Sequence, residues 1–167
     1  MNKVYRVLFL CTGNSARSIM SEALLTILGR GRFIAYSAGS RPAGAVHPLA
    51  IEQIRRFDPA FPTAALHSKG WAGFALPEGP HMDFIITVCD SAAGEACPHW
   101  PGQPTTAHWG YPDPAGAGGE GAGQEAFVRV FAQIRRRVEQ FVALPLDWLE
   151  DDAVRREAVR AIAARTL

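Results

Sequence analysis

The chain has 167 residues, 48% of them hydrophobic and 20% charged, with a formal net charge of +1. That length suits one compact domain with its own hydrophobic core, and the near-neutral charge leaves no electrostatic footprint for nucleic acid. No apolar stretch approaches the ~18 residues of a membrane-spanning helix, and the first residues lack the long apolar core of a secretory signal. The expected location is therefore the cytoplasm, with a monomer and no nucleic-acid or membrane partner expected.

The elements follow in order. Val4 to Leu10 is a short, nearly continuous apolar run, the pattern of a strand buried on both faces. After Thr12-Gly13-Asn14-Ser15, apolar residues recur at Ile19, Met20, Ala23, Leu24, Ile27 and Leu28, which is helical spacing, and Gly29 is a stop signal. Arg32 to Ser37 reads as a second strand, ended by Ala38-Gly39-Ser40. Pro48 suits the first turn of a helix carrying Leu49, Ile51, Ile54 and Phe57. A short third helix is expected over Ser68 to Ala75, a strand over Asp83 to Val88, and a weaker strand near Thr105 to His108. Phe127, Phe131, Ile134, Val138 and Phe141 mark a long amphipathic helix, and the run Arg135 to Arg137 within it reads as a solvated face. A more polar helix is expected from about Asp151 to Arg165, within a helical extension beginning near residue 146.

Strands alternating with helices predict a doubly wound parallel sheet, whose ligands bind at the carboxyl ends of the strands near a switch in strand order. Cys11 and Cys89 both follow strands there. With Cys97 they make three cysteines, an odd number that does not suit a structural disulfide framework in a reducing compartment. No Cys-x2-Cys pair is present and the five histidines are scattered, so no metal site or cofactor is expected.

The segment Cys11-Thr12-Gly13-Asn14-Ser15-Ala16-Arg17-Ser18 stands between the first strand and the first helix. Successive amides of such a turn form an anion-binding nest, reinforced by the positive end of the helix dipole. Arg17 can fork two N–H bonds onto a tetrahedral oxyanion. The same field is expected to lower the Cys11 pKa, Ser18 to donate to its sulfur, and Gly13 and Asn14 to tolerate left-handed backbone. These features predict oxyanion capture and thiolate attack.

This segment resembles the phosphate loop of the low-molecular-weight protein tyrosine phosphatase family. The resemblance implies a four-stranded parallel sheet flanked by helices in a three-layer sandwich. It also implies a general acid in a distal Asp-Pro, here Asp113-Pro114. Cys89 and Cys97, in Cys89-Asp90-Ser91-Ala92-Ala93-Gly94-Glu95-Ala96-Cys97, read on their own either as buried thiols or as a resolving pair. This stretch, with His108-Trp109-Gly110 before the acid, resembles the thioredoxin-coupled arsenate reductases built on the same fold.

That narrower resemblance implies an ordered scheme. Cys11 attacks arsenate held by the loop amides and Arg17 while Asp113 protonates the departing oxygen. Cys89 then attacks Cys11 and arsenite leaves. Cys97 moves the disulfide to itself and Cys89, and thioredoxin or a similar dithiol reduces it. The pattern departs from the family at Ala16, where a second loop cysteine is usual. In related enzymes a potassium site uses an Asn, a Glu, a Ser and an Asp. Asn14, Glu22 and Ser37 match three of these, but His67-Ser68-Lys69-Gly70 has no acid for the fourth, leaving the Lys69 ammonium as a stand-in. The alternative function is that of a phosphatase, which needs neither later thiol. An oxyanion-binding domain without catalysis ranks third.

Overall fold

A computed structural model describes residues 3–90, 92, 100–116 and 122–165. Four strands, β1 (Tyr5–Cys11), β2 (Phe33–Gly39), β3 (Phe84–Thr87) and β4 (Thr105–His108), form one sheet in the order β2-β1-β3-β4. Every pairing is parallel. Between the strands and after them run α1 (Arg17–Gly29), α2 (Pro48–Phe57), α3 (Ala122–Val142), α4 (Leu146–Glu150) and α5 (Asp152–Ala164). The chain leaves β1 for β2 on one side and later returns to place β3 on the other, so the strand order reverses at β1. The crevice at the carboxyl ends of β1 and β3 is the place where such sheets bind ligands.

The period-two alternation of β1 builds two apolar layers. Val7, Phe9 and Cys11 face a large cluster with Ile19, Met20 and Leu24 of α1, Ile54 of α2, Phe127, Ile134 and Phe141 of α3, and Val159 and Ile162 of α5. Leu8 and Leu10 face the other way, against Met82, Ile85 and Trp100, with Trp71 and Phe74 packed at the edge.

The strands and long helices fall close to their sequence-predicted positions, but Ser68 to Ala75 does not form the expected helix. Only Ala72–Phe74 makes a single 3-10 turn. Upstream, Gly39 N–H donates to Lys69 C=O at 2.9 Å and Trp71 N–H to Gly39 C=O at 3.1 Å. This pairing, bridging Gly39 and Gly70 in parallel, holds the segment extended and uses backbone groups a helix would need.

Candidate active site

Loop 12–16 is shaped from outside. Arg41 N–H donates to Thr12 C=O (3.0 Å), Ala43 N–H to Gly13 C=O (2.8 Å) and His47 N–H to Ser15 C=O (2.9 Å). The Ser68 hydroxyl adds a second bond to Gly13 C=O at 3.1 Å. In a planar trans peptide the C=O and N–H point in opposite directions. Carbonyls turned outward therefore turn the amides of the same peptide units inward. Asn14 makes the bend with φ of 46°, a left-handed conformation that Asn tolerates. Gly13, expected to share that role, is not among the positive-φ residues.

Helix α1 has Ala16 at its N-cap, with no side-chain cap and no acidic residue in its first turn. By contrast α2 is capped by His47 and α5 by Asp151. The first amides of α1 thus keep their capacity for an external acceptor. Above them lies a pocket of about 270 Å³ lined by Cys11, Thr12, Gly13, Ser15, Arg17 and Asp113, among others.

A chain of polar contacts reaches the Cys11 sulfur. Lys69 N–H donates to Asn14 Oδ1 at 2.9 Å. That fixes the amide so that Asn14 Nδ2 donates to Ser18 Oγ at 2.8 Å. Ser18 Oγ lies 3.0 Å from Cys11 Sγ, and with a lone pair already occupied by Asn14 its own proton is directed to the sulfur. The same region contains half-buried Glu22, which accepts from Ser37 Oγ at 2.5 Å and lies 3.7 Å from Lys69 Nζ. Burial raises the Glu22 pKa, opposed by the Ser37 bond and the Lys69 charge. With Asn14 Oδ1 and Glu22 already engaged by Lys69, these residues do not fit a potassium ion.

Beside Cys11 stands Cys89, just beyond the end of β3. Both are buried and neither is disulfide-bonded. Thr12 Oγ1 lies 3.8 Å from Cys89 Sγ, and the two thiols stand close enough for the ionisation of each to act on the other. The balance of influences at Cys11 runs opposite to the sequence expectation. Its pKa is raised rather than lowered, first by the contact with Cys89 and then by burial, against the Ser18 bonds that lower it. Cys89 is lowered, first by the Cys11 thiol beside it, with the Ala92 amide, Thr12 and the Arg17 charge assisting against burial. In the ligand-free site the two thiols therefore titrate as a pair.

Arg17 spans the pocket to the acid turn. Its Nη1 donates to Tyr111 C=O at 3.1 Å, and its Nη2 lies 3.8 Å from Asp113 Oδ1. Asp113 is half exposed, and its Oδ1 accepts from Ala115 N–H at 3.0 Å. Thus Cys11, loop 12–16, Arg17, Ser18, Cys89 and Asp113 converge at one end of the sheet. Cys97 lies outside the described residues.

Sequence reading missed two nearby features. Arg137, assigned to a solvated face, is buried. Its spacing with Ile134, Val138 and Phe141 was the signal, overridden by the run of three arginines. His108, read in the sequence only as part of the stretch before the acid, bridges Thr87 Oγ1 (2.7 Å) and Asp90 Oδ1 (2.9 Å) beside Cys89. Among the described residues no group of three metal-ligating side chains occurs, and no helix is long and apolar enough to cross a membrane.

A parallel sheet with a strand-to-helix oxyanion loop, a thiol at its base and an arginine in the first helical turn defines a phosphatase-type site. The family model for low molecular weight phosphotyrosine protein phosphatase matches residues 6–158, and the chain belongs to that family. Within it, an arsenate reductase of Staphylococcus saprophyticus is 35% identical over 136 residues, covering 81% of this chain and 94% of the relative. A solved arsenate reductase in the phosphate binding state superposes with a TM-score of 0.66 at 29% identity, covering 84% of this chain and 98% of the other. A thioredoxin-dependent arsenate reductase of Corynebacterium glutamicum superposes with a TM-score of 0.54 at 27% identity, covering 80% of this chain and 60% of the other.

Proposed function

We propose that the protein reduces arsenate to arsenite through a thiol–disulfide cascade. The observation that carries this reading is the second thiol, Cys89, buried beside the first at the base of the oxyanion pocket. A hydrolytic phosphatase has no use for it, because water resolves its intermediate.

Arsenate enters over the amides of loop 12–16 and the Arg17 guanidinium. Proton transfer from Cys11 to Cys89 beside it forms the Cys11 thiolate. It attacks arsenic, and the departing oxygen leaves as water with a proton from Asp113. Cys89 gives that proton up to solvent and, as a thiolate, attacks Cys11 Sγ and forms the Cys11–Cys89 disulfide. The electron pair of the broken S–As bond stays on arsenic, which leaves as arsenite. Cys97 attacks Cys89 Sγ, frees Cys11 and leaves a Cys89–Cys97 disulfide. Thioredoxin or a similar dithiol supplies the two electrons that reopen it. A monomer in the reducing cytoplasm suffices for every step. The names of the relatives and the thioredoxin dependence of the Corynebacterium enzyme support the reading.

The test is a pair of variants, Cys89→Ser and Cys97→Ser, assayed on arsenate with thioredoxin and on an aryl phosphate. Thioredoxin-linked arsenate turnover is expected to collapse in both while aryl phosphate hydrolysis persists. Equal retention of both activities would sink the cascade.

A further inference from the structure

The long helix α3 carries a cation where an apolar side chain would be expected. Arg137 lies between Ile134 and Val138 on the inward face and is 6% exposed. Among the described residues no carboxylate pairs with it. Its guanidinium is instead held by neutral groups: Nη1 donates to Gly110 C=O at 3.0 Å and Nη2 to Ala163 C=O at 3.3 Å. The same group lies 4.8 Å from the centre of the Tyr111 ring, and Nε has no hydrogen-bond acceptor among the described residues. Burying a cation without a counter-charge costs stability, so hydrophobic packing does not account for an arginine here.

Its contacts lead toward the acid. Gly110 and Tyr111 are the third and second residues before Asp113. Arg137 holds the Gly110 carbonyl and the face of the Tyr111 ring from the core side. Arg17 holds the Tyr111 carbonyl from the pocket side. Pro112 then fixes one further backbone angle before Asp113. The third contact, Ala163 C=O, belongs to the last turn of α5, where carbonyls lack intrahelical partners and carry the negative end of the helix dipole. Arg137 therefore joins the end of the C-terminal helix to the turn that presents the acid.

We propose that Arg137, clamped between the carboxyl end of α5 and the Gly110–Tyr111 backbone, is a positioning residue that sets Asp113 over the leaving oxygen. The inference rests on the reading of Asp113 as general acid. Arg137 touches no reacting atom.

The experiment compares kcat/KM for two esters, phenyl phosphate and 2,4-dinitrophenyl phosphate, in wild type, Arg137→Met, Arg137→Lys, Asp113→Asn and the Arg137→Met/Asp113→Asn double variant. Phenolate is a poor leaving group that needs the acid, whereas dinitrophenolate leaves without it. Where turnover is slow, the phenol released in a single turnover gives the same ratio. Arg137→Met is expected to lose about tenfold or more on phenyl phosphate, part of the full worth of a general acid, and less than about twofold on the dinitrophenyl ester. The double variant should be no slower than Asp113→Asn alone, since a missing acid cannot be misplaced. Arg137→Lys, which cannot fork to both carbonyls, should show a smaller loss with the same selectivity.

Equal losses on both esters in the arginine variants, with Asp113→Asn selective, overturn the positioning role and leave the acid intact. A flat response in Asp113→Asn overturns the acid and the inference together. If Arg137→Met fails to fold, a wild-type ester ratio in Arg137→Lys overturns the proposal.

Discussion

Two thiols that titrate as a pair cannot be described by separate affinities. Cys11, in contact with Ser18, is pushed up by Cys89 beside it, and Cys89 is pulled down, with the Ala92 amide and the Arg17 charge on its side. Removing Cys89 deletes the largest influence raising Cys11 and leaves the Ser18 bonds that lower it. The sign follows directly. In Cys89→Ala the Cys11 pKa falls, and the midpoint of its alkylation by iodoacetamide moves to lower pH than in wild type. Quantifying the Cys11 peptide by mass spectrometry checks this, and a midpoint that stays or rises would count against the coupling. The residue types at this site were legible in the sequence: Cys11, Arg17 and Ser18 stand at the spacing the loop requires. The thiol coupling was not, because it depends on the parallel register of β1 and β3, with Leu10 opposite Thr87. No local pattern encodes how two distant thiols titrate.

At the level of elements, the end of β2 sets the pocket wall. A Cβ on Gly39 would lie 2.4 Å from Thr12 C=O and 2.7 Å from Cys11 C=O. Both obstacles are backbone, so nothing nearby can rotate away. Gly39→Ala is therefore expected to push the start of the loop out of place. It should lower arsenate kcat/KM by about a hundredfold, the scale of an ångström-level misplacement. The accompanying stability cost should be about 1–3 kcal/mol, as for an overpacked site. Steady-state kinetics and a urea melt on the same preparation check the two numbers, and unchanged kinetics would show that the loop yields freely. Sequence patterns fared unevenly here. The weak pattern at Thr105 to His108 gave β4 at its observed bounds, because alternation survives in an edge strand. Ser68 to Ala75 misled, since the Gly39–Gly70 bridge is a long-range pairing that local helical spacing cannot anticipate. In α3 the arginine run concealed that 3.6-residue spacing turns Arg137 inward while Arg135 and Arg136 stay exposed.

For the whole molecule, the question is what the C-terminal helices do for a sheet whose catalytic edge ends at β4. As the outer strand, β4 presents unpaired backbone groups on its open side. α5 covers that side: Arg160 Nε donates to Thr106 C=O at 3.0 Å, and Arg155 Nε to the Thr105 side-chain hydroxyl at 2.9 Å. The deepest link is Trp109, fully buried directly after β4, whose indole N–H donates to Val159 C=O at 3.0 Å. Its ring packs against Phe9 of β1 and Phe141 of α3. One side chain thus touches the sheet, the long helix and the terminal helix, four residues before Asp113. Trp109→Phe removes the indole donor to Val159 and opens space that a smaller ring cannot fill. The combined cost is expected to be roughly 2–4 kcal/mol. Trp148, 45% exposed on α4, supplies the comparison: Trp148→Phe should change stability by less than about 0.5 kcal/mol. Urea unfolding of the two variants decides the matter. Equal small losses would mean that α5 rests on the sheet without bracing it. A large loss confined to Trp109→Phe, accompanied by faster amide exchange in β4, would mean that the terminal helix and the acid-bearing turn unfold as one unit.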